Sequence, residues 1–210
     1  MKVLLINGSP HEQGCTYTAL CEVAQELEKA GIATEIVNVG REAIRGCIAC
    51  GHCRQSAESH CILKDDSMVN TIIDKAKEAD GFVFGSPVHY AAASGTLTTL
   101  LDRCFYAGAK HFAYKSGAAI MSCRRGGATA TFEQLNKYFT INNMPIVSSQ
   151  YWNMVHSNTP DEVRQDLEGL QTMRTLGRNM AWLLKCLQLG KENGLDRPES
   201  EAKVATNFIR

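Results

Sequence analysis

Short apolar segments alternate along this chain with amphipathic segments of helical period, and this alternation restricts the fold more than any other feature. Residues 2–6 are continuously apolar, as expected of a strand that is covered on both faces of a parallel sheet. Further strands are predicted at residues 33–39, 81–85, 118–121 and 144–148. Helices are predicted at residues 16–30, 67–79, 97–104 and 132–139.

The alternation predicts an α/β fold in which a five-stranded parallel sheet is doubly wound, with helices on both faces. Residues 1–190 are expected to form one domain, with a cysteine-rich insertion at 46–62 and a polar tail at 191–210. Ser67 or Asp66 is the expected N-cap of the second helix. A long final helix, about residues 161–189, carries an apolar stripe that suits either packing on its own domain or a subunit contact.

Charge and composition exclude several classes of protein. Lys and Arg total 22 and Asp and Glu total 22, so the basic excess of a nucleic-acid or anionic-membrane binder is missing. No apolar run approaches the roughly 20 residues that span a bilayer, and the first residues lack the pattern of a signal peptide. We therefore expect a cytoplasmic protein with no membrane or nucleic-acid partner, whose nine cysteines are reduced thiols.

The turn after the first strand has the features of an anion site. Residues 8–18 follow a buried strand and open a helix, where free backbone N–H groups attract phosphate. Ser9 and Thr16 add hydroxyls, but the spacing of Gly8 and Gly14 matches neither a Walker loop nor the dinucleotide fingerprint. A loop that uses hydroxyls and amides without lysine suits a terminal phosphate monoester, such as that of FMN; an ordinary strand-to-helix turn with a Ser/Thr cap is the alternative.

The turns after the third and fourth strands are predicted to lie at the same sheet edge. Residues 85–90 supply the flat side chains of His89 and Tyr90 behind Pro87, which suits a planar ring. Residues 122–127 supply two arginines and two glycines, which allow close approach to a ring that becomes anionic on reduction. The arginines could equally be a solvated pair of charges.

These motifs together resemble the NADPH-dependent FMN reductase family, whose fold is flavodoxin-like. The resemblance runs from residue 1 to about 156 and includes residues 101–103 and 151–153. It implies FMN held noncovalently, with the phosphate in the residue 9–17 loop and the ring between residues 87–90 and 122–127. The implied phosphate contacts are Ser9, His11, Gly14, Cys15, Thr16 and Tyr17. The implied ring contacts are Pro87, Val88, His89, Tyr90, Ser122, Arg124, Arg125, Gly126 and Gly127.

The sequence departs from the family pattern at four positions, which affects the details of the implied contacts. The family often has Arg where this chain has His11, and Asn where it has Cys15. It usually has an aromatic residue where this chain has His89, and commonly a lysine at position 98, here Thr98.

Four cysteines cluster within fifteen residues as C-x2-C-x2-C-x7-C: Cys47, Cys50, Cys53 and Cys61. Three tightly spaced cysteines and one from a loop can hold a four-iron four-sulfur cluster. The motif is similar to that of the iron–sulfur flavoproteins, a branch of the same family. There are two alternatives. The four thiolates could bind zinc, or the cysteines could be free thiols or form a redox-active dithiol.

Three functions remain open at this point. The first is an FMN-dependent NAD(P)H oxidoreductase that reduces flavin, quinone or a similar small acceptor, with no side-chain acid, base or nucleophile required. The second is an iron–sulfur flavoprotein that transfers electrons, and the third is a redox-sensing protein that uses its cysteines as a switch. The resemblance also implies a homodimer or homotetramer.

Overall fold

In a computed structural model, which describes residues 1–64, 68–202, 204–206 and 208, five parallel strands form the central sheet. The predicted capping residues Asp66 and Ser67 lie outside the described residues. The sheet order is β2-β1-β3-β5-β6, and the two-residue β4 pairs antiparallel with the end of β3. The strands are β1 (Lys2–Asn7), β2 (Ala33–Asn38), β3 (Gly81–His89), β4 (Ala92–Ala93), β5 (Ser116–Cys123) and β6 (Met154–His156).

Helices cover both faces of the sheet, which confirms the predicted doubly wound α/β architecture. The helices are α1 (Cys15–Lys29), α2 (Met68–Glu78), α3 (Gly95–Gly108), α4 (Ala128–Thr140), α5 (Pro160–Gln165) and α6 (Leu167–Glu192). Alternate side chains of β1 enter two separate cores: Leu4 and Ile6 pack with α2, α3 and α4, whereas Val3 and Leu5 pack with α1 and α6. This burial on both faces explains why β1 is continuously apolar.

The fifth parallel strand was predicted at the wrong place. Residues 144–148 make only a single bridge, in which Gly117 donates to Pro145 O (2.9 Å) and Val147 donates to Gly117 O (2.8 Å). Pro145 has no N–H with which to extend the ladder. The chain then leaves the sheet and returns at Met154–His156, which pairs with the end of β5.

The predicted single final helix is two helices separated at Asp166. The Asp166 carboxylate accepts from Gly169 N (2.9 Å) and from His156 N (2.7 Å), so it caps α6 and anchors the end of β6. Met173, Leu176 and Met180 are buried in the same core as α1, so most of the apolar stripe packs within the domain. None of the helices in the described part of the chain has a stretch both long and apolar enough to cross a bilayer.

Candidate flavin site and cysteine cavity

The carboxyl ends of β1, β3 and β5 bring three connections together at one edge of the sheet. We call residues 8–14 the first loop, residues 90–91 the second turn and residues 124–127 the third loop. Gly8 N donates to Gly85 O (2.8 Å), and Ser94 Oγ donates to Gly8 O (2.8 Å). The first loop is therefore hydrogen-bonded to β3 and to the N-cap of α3, as the sequence prediction of a shared edge requires.

Asn7, the last residue of β1, was not among the predicted site residues. Its side chain holds the first loop in place. Its fully buried side chain donates from Nδ2 to Asn38 Oδ1 (2.8 Å) and to Glu12 O (3.2 Å), and Oδ1 accepts from Ser9 N (3.1 Å). His11 N in turn donates to Ser9 Oγ (3.1 Å). A polar amide at the end of a continuously apolar strand was the signal that could have identified Asn7.

The start of α1 is open to an anion. Gly14 is the N-cap and supplies no side-chain hydrogen bond, so the N–H groups of the first turn, at Cys15, Thr16 and Tyr17, have no side-chain cap. Thr16 is buried, and its Oγ1 lies 2.8 Å from Ser122 Oγ. This hydroxyl pair joins the start of α1 to β5.

The segment at residues 85–90, predicted as a turn, is mostly strand in the structure. Residues 85–89 belong to β3, and the turn itself is only Tyr90 and Ala91, both with positive φ (49° and 59°). His89 and Tyr90 are exposed, and Tyr90 is fully so, whereas Pro87 and Val88 are half-buried. Two flat side chains therefore face solvent beside the other loops.

The third loop packs directly on the second turn. Gly127 has a φ of 86°, and a Cβ built on it would lie 2.6 Å from Ala91 Cα, so only glycine suits this position. Arg124, Arg125 and Gly126 are exposed. In the described part of the chain, neither arginine has a hydrogen-bond or ion-pair partner, so both guanidinium groups are available to a ligand.

Burial raises the pKa of the Cys123 thiol, at the end of β5, above its ordinary value, and the Asp166 carboxylate adds to the shift. The thiol is therefore neutral near pH 7 and is not an activated nucleophile.

An open cavity of about 500 Å³ lies over the first loop and includes residues that the sequence did not single out. The cavity is lined by His11, Glu12, Gln13, Gly14 and Cys15. It is also lined by Asn158 and Thr159, which connect β6 to α5, and by Pro160, the first residue of α5. Arg41, from the segment after β2, completes the lining. Neither Arg41 nor Asn158 lies in a recognisable motif, and only the tertiary structure brings them to the first loop.

These features fit the phosphate end and the ring of FMN. The uncapped helix start offers neutral backbone donors to a phosphate, and the exposed arginines offer positive charge at the predicted ring end. The predicted residues at 9–17, 87–90 and 122–127 thus lie along one edge of one sheet.

The four clustered cysteines line a second, smaller cavity of about 180 Å³, above α3. The left-handed residues Ala49 (φ 53°) and Gly51 (φ 71°) turn the segment back on itself, which brings Cys47, Cys50 and Cys53 to the same cavity as Cys61. Four thiols around one space, rather than at one point, suit a group larger than a single ion.

Two contacts from α3 hold this arrangement. Arg103, only 1 % exposed, donates from Nη2 to Cys61 Sγ (3.5 Å) and from Nη1 to Arg45 O (3.2 Å). The Cys53 thiol donates to Tyr106 O (3.5 Å). Among the described residues, no three His, Cys, Asp or Glu side chains converge on a point that could hold one metal ion.

Comparison with known proteins gives the family and the fold of the chain. The family model for NADPH-dependent FMN reductase matches residues 1–159. An iron–sulfur flavoprotein of Methanocaldococcus jannaschii is 32% identical over 196 residues, covering 90% of this chain and all of the relative. An iron–sulfur flavoprotein of Methanosarcina thermophila is 30% identical, covering 91% of this chain and all of the relative. A solved flavodoxin from the Archaea superposes with a TM-score of 0.59 at 15% identity, covering 88% of this chain and 99% of the flavodoxin.

The fold and the site edge define a flavodoxin-like protein, as predicted. Within that class, the chain belongs to the NADPH-dependent FMN reductase family and to its iron–sulfur flavoprotein branch. It is therefore a flavoprotein of the oxidoreductase class.

Proposed function

We propose that this protein is an FMN-dependent NAD(P)H oxidoreductase that reduces a flavin, a quinone or a similar small acceptor. The observation that carries the proposal is that an uncapped helix start, the second turn packed on the third loop, and two unpaired arginines lie together on one sheet edge. The family to which the chain belongs supports the same cofactor.

Each segment has a separate task in this proposal. The first-turn amides of α1, with Ser9 and Thr16, bind the phosphate, while residues 87–90 and 122–127 hold the ring. When bound, FMN supplies hydride acceptance and electron transfer to a second substrate. The positive charge of Arg124 and Arg125, with the backbone amides of the third loop, opposes negative charge that develops on the ring. His89 and Tyr90 shape the open side against which a nicotinamide would stack.

We also propose that Cys47, Cys50, Cys53 and Cys61 hold a four-iron four-sulfur cluster. The support is that all four thiols line one cavity and that two relatives, matched over nine-tenths of this chain and at least 30% identical, are iron–sulfur flavoproteins. Such a cluster would supply one-electron transfer. This observation favours a second candidate function, that of an electron-transfer protein whose partner is another redox protein.

The remaining proposals concern the molecule as a whole. We propose that the chain acts as a homodimer or homotetramer in the cytoplasm, with a small-molecule electron acceptor. Large exposed side chains such as Trp152 and Trp182 are consistent with a self-association surface. Light scattering of the purified protein at micromolar concentration tests this, and a monomer would contradict it.

Flavin content and steady-state kinetics test the main proposal. We expect protein purified under anaerobic conditions to contain about one FMN per chain and to oxidise NADH or NADPH when a quinone or free flavin is added. Flavin without NAD(P)H oxidation would favour the electron-transfer protein. Absence of flavin, with no binding of added FMN, would exclude both functions.

The cluster is tested by iron analysis of matched cysteine variants. We expect about four iron atoms per chain in the wild type, which Cys50→Ala should lose while it retains FMN. Cys186→Ala is the matched control, because this exposed thiol lies on α6 outside the cavity. Equal iron content in Cys50→Ala and the wild type would show that these cysteines do not bind the cluster, and one tightly bound zinc would favour the alternative.

A further inference from the structure

The first loop has no lysine or arginine to balance the negative charge of a phosphate. A phosphate monoester carries about −1.5 to −2 near pH 7, yet residues 8–17 contain no Lys or Arg, and Glu12 adds a carboxylate to the same cavity. Backbone amides and hydroxyls satisfy hydrogen bonds but supply no net charge. A cation from elsewhere in the chain would therefore strengthen phosphate binding considerably.

Arg41 is brought to the first loop by the strand pairing of the sheet. β2 lies beside β1, so the residues after β2 emerge next to the loop that follows β1. At Gly40 the two backbones touch: a Cβ built there would lie 2.0 Å from Ser9 O, so no larger residue fits. The next residue, Arg41, donates from Nε to Pro10 O at 2.7 Å.

This hydrogen bond orients the guanidinium group and leaves most of its donors available. Of its five N–H groups, the one on Nε is used by Pro10 O. Throughout residues 1–64, 68–202, 204–206 and 208, no acceptor pairs with its terminal nitrogens and no carboxylate forms an ion pair with it. Arg41 also lines the 500 Å³ cavity together with His11–Cys15.

We propose that the Arg41 guanidinium forms the ion pair with the phosphate at this site. This ion pair makes the site bind a phosphorylated flavin more tightly than an unphosphorylated one. The inference rests on the proposed FMN site and adds the residue that determines its specificity. A guanidinium with two free N–H pairs can hold two phosphate oxygens at once, which a lysine cannot do with the same geometry. Riboflavin shares the ring of FMN but lacks the phosphate, so it does not engage Arg41.

Binding of FMN and of riboflavin to the flavin-free full-length protein, followed by quenching of flavin fluorescence, tests the proposal. We expect Arg41→Gln to weaken FMN binding about tenfold to hundredfold and to leave riboflavin binding within about twofold. The salt dependence of FMN binding should also become shallower, because one charge contact is lost. Arg41→Lys, which retains the charge, should lie between the wild type and Arg41→Gln.

Arg197→Gln is the matched control, since it removes the same charge near Tyr114, which precedes the amino end of β5. It should change neither affinity. An unchanged ratio of FMN to riboflavin affinity in Arg41→Gln would overturn the proposal. The proposal would also be overturned if Arg41→Lys bound FMN as weakly as Arg41→Gln while the salt dependence of FMN binding stayed at the wild-type value. That result would mean that Arg41 only holds Pro10 in place. A wild type that does not prefer FMN would instead count against the proposed phosphate loop itself.

Discussion

At the scale of single residues, Asn7 connects the core to the candidate flavin site. Asn7→Ala removes three hydrogen bonds and leaves Ser9 N and Asn38 Oδ1 without their partner. We expect the variant to lose about 1–3 kcal/mol of unfolding free energy and to bind FMN more weakly, because the first loop loses its support. Chemical denaturation and flavin titration measure the two effects.

Asn179→Ala is a suitable comparison for Asn7→Ala, since Asn179 Nδ2 also donates to a loop carbonyl, Ser148 O (2.8 Å), but on the α6 side. It should leave FMN binding unchanged. If Asn7→Ala kept the wild-type affinity for FMN, the first loop would not depend on this amide and the proposed phosphate site would be weakened.

Gly127 is the residue on which the contact between the second turn and the third loop depends. Gly127→Ala places a methyl group 2.6 Å from Ala91 Cα at a positive φ, and we expect a cost of about 1–3 kcal/mol in unfolding free energy. Because the ring segments move apart, FMN and riboflavin should both bind more weakly and by a similar factor. This pattern would differ from that of Arg41→Gln.

Stability measurements on Gly126→Ala provide the control for Gly127→Ala. A Cβ at Gly126 meets no atom within 4 Å, and its φ is not positive. We therefore expect its thermal midpoint to match that of the wild type. A Gly127→Ala variant of wild-type stability would mean that the backbone shifts at no cost and that the close contact is not needed.

At the scale of secondary-structure elements, an ion cluster joins α1 and α6. Glu26, buried on α1, accepts from Lys29 Nζ (2.7 Å) and from Arg178 Nε on α6 (2.7 Å). Lys29 first and Arg178 second lower the pKa of this carboxyl below its ordinary value. Stability from such a group is fully present above the unfolded-state pKa and is lost as pH falls through the lower folded-state value.

Glu26→Gln should therefore be less stable than the wild type at pH 7, by about 1 kcal/mol because both cationic partners are largely exposed. The difference should shrink as the pH falls from the ordinary carboxyl pKa through the lowered folded-state pKa, because the wild-type carboxylate then becomes protonated. Denaturant unfolding at a series of pH values measures it, with Glu199→Gln in the tail as the control. A difference that stays constant between neutral and acid pH would show that the effect is packing and not charge.

Strand and helix boundaries show where local sequence signals were insufficient. Residues 144–148 have the composition of a strand, but Pro145 and the geometry of Gly117 restrict them to one bridge. The three-residue β6 has no strand signal of its own and is a strand only because β5 offers a free edge. At Asp166 the apolar period continues, yet the carboxylate bonds to His156 N and begins a new helix.

At the scale of the whole molecule, the tail after α6 contributes little to the fold. Its described residues are exposed from Lys191 onward, so removal of residues 197–210 should change the unfolding free energy by less than about 1 kcal/mol. Truncation after Asn179 is the contrasting variant, because it removes Met180, Ala181 and Leu184 from the core shared with α1. Circular dichroism during thermal unfolding compares the two.

Removal of the tail should also leave FMN binding unchanged, since the first loop, second turn and third loop lie within residues 8–127. A large loss of stability on removal of residues 197–210 would contradict the expectation that the tail contributes little to the fold.

The sequence by itself determined the parallel α/β layering, the sheet edge at which the three candidate loops meet, and the two groups of chemically distinctive residues. These follow from local patterns: continuous apolar strands, glycine and hydroxyl residues after them, and closely spaced cysteines. Only the tertiary structure brought Asn7 and Asn38 together at the first loop and placed Gly40 in contact with the backbone of Ser9. It also placed Arg41 beside the cavity over the first loop and Arg103 beside the cysteine cavity. The physical reason is that these contacts join residues distant in sequence, and strand order and close backbone packing decide them, not any local period.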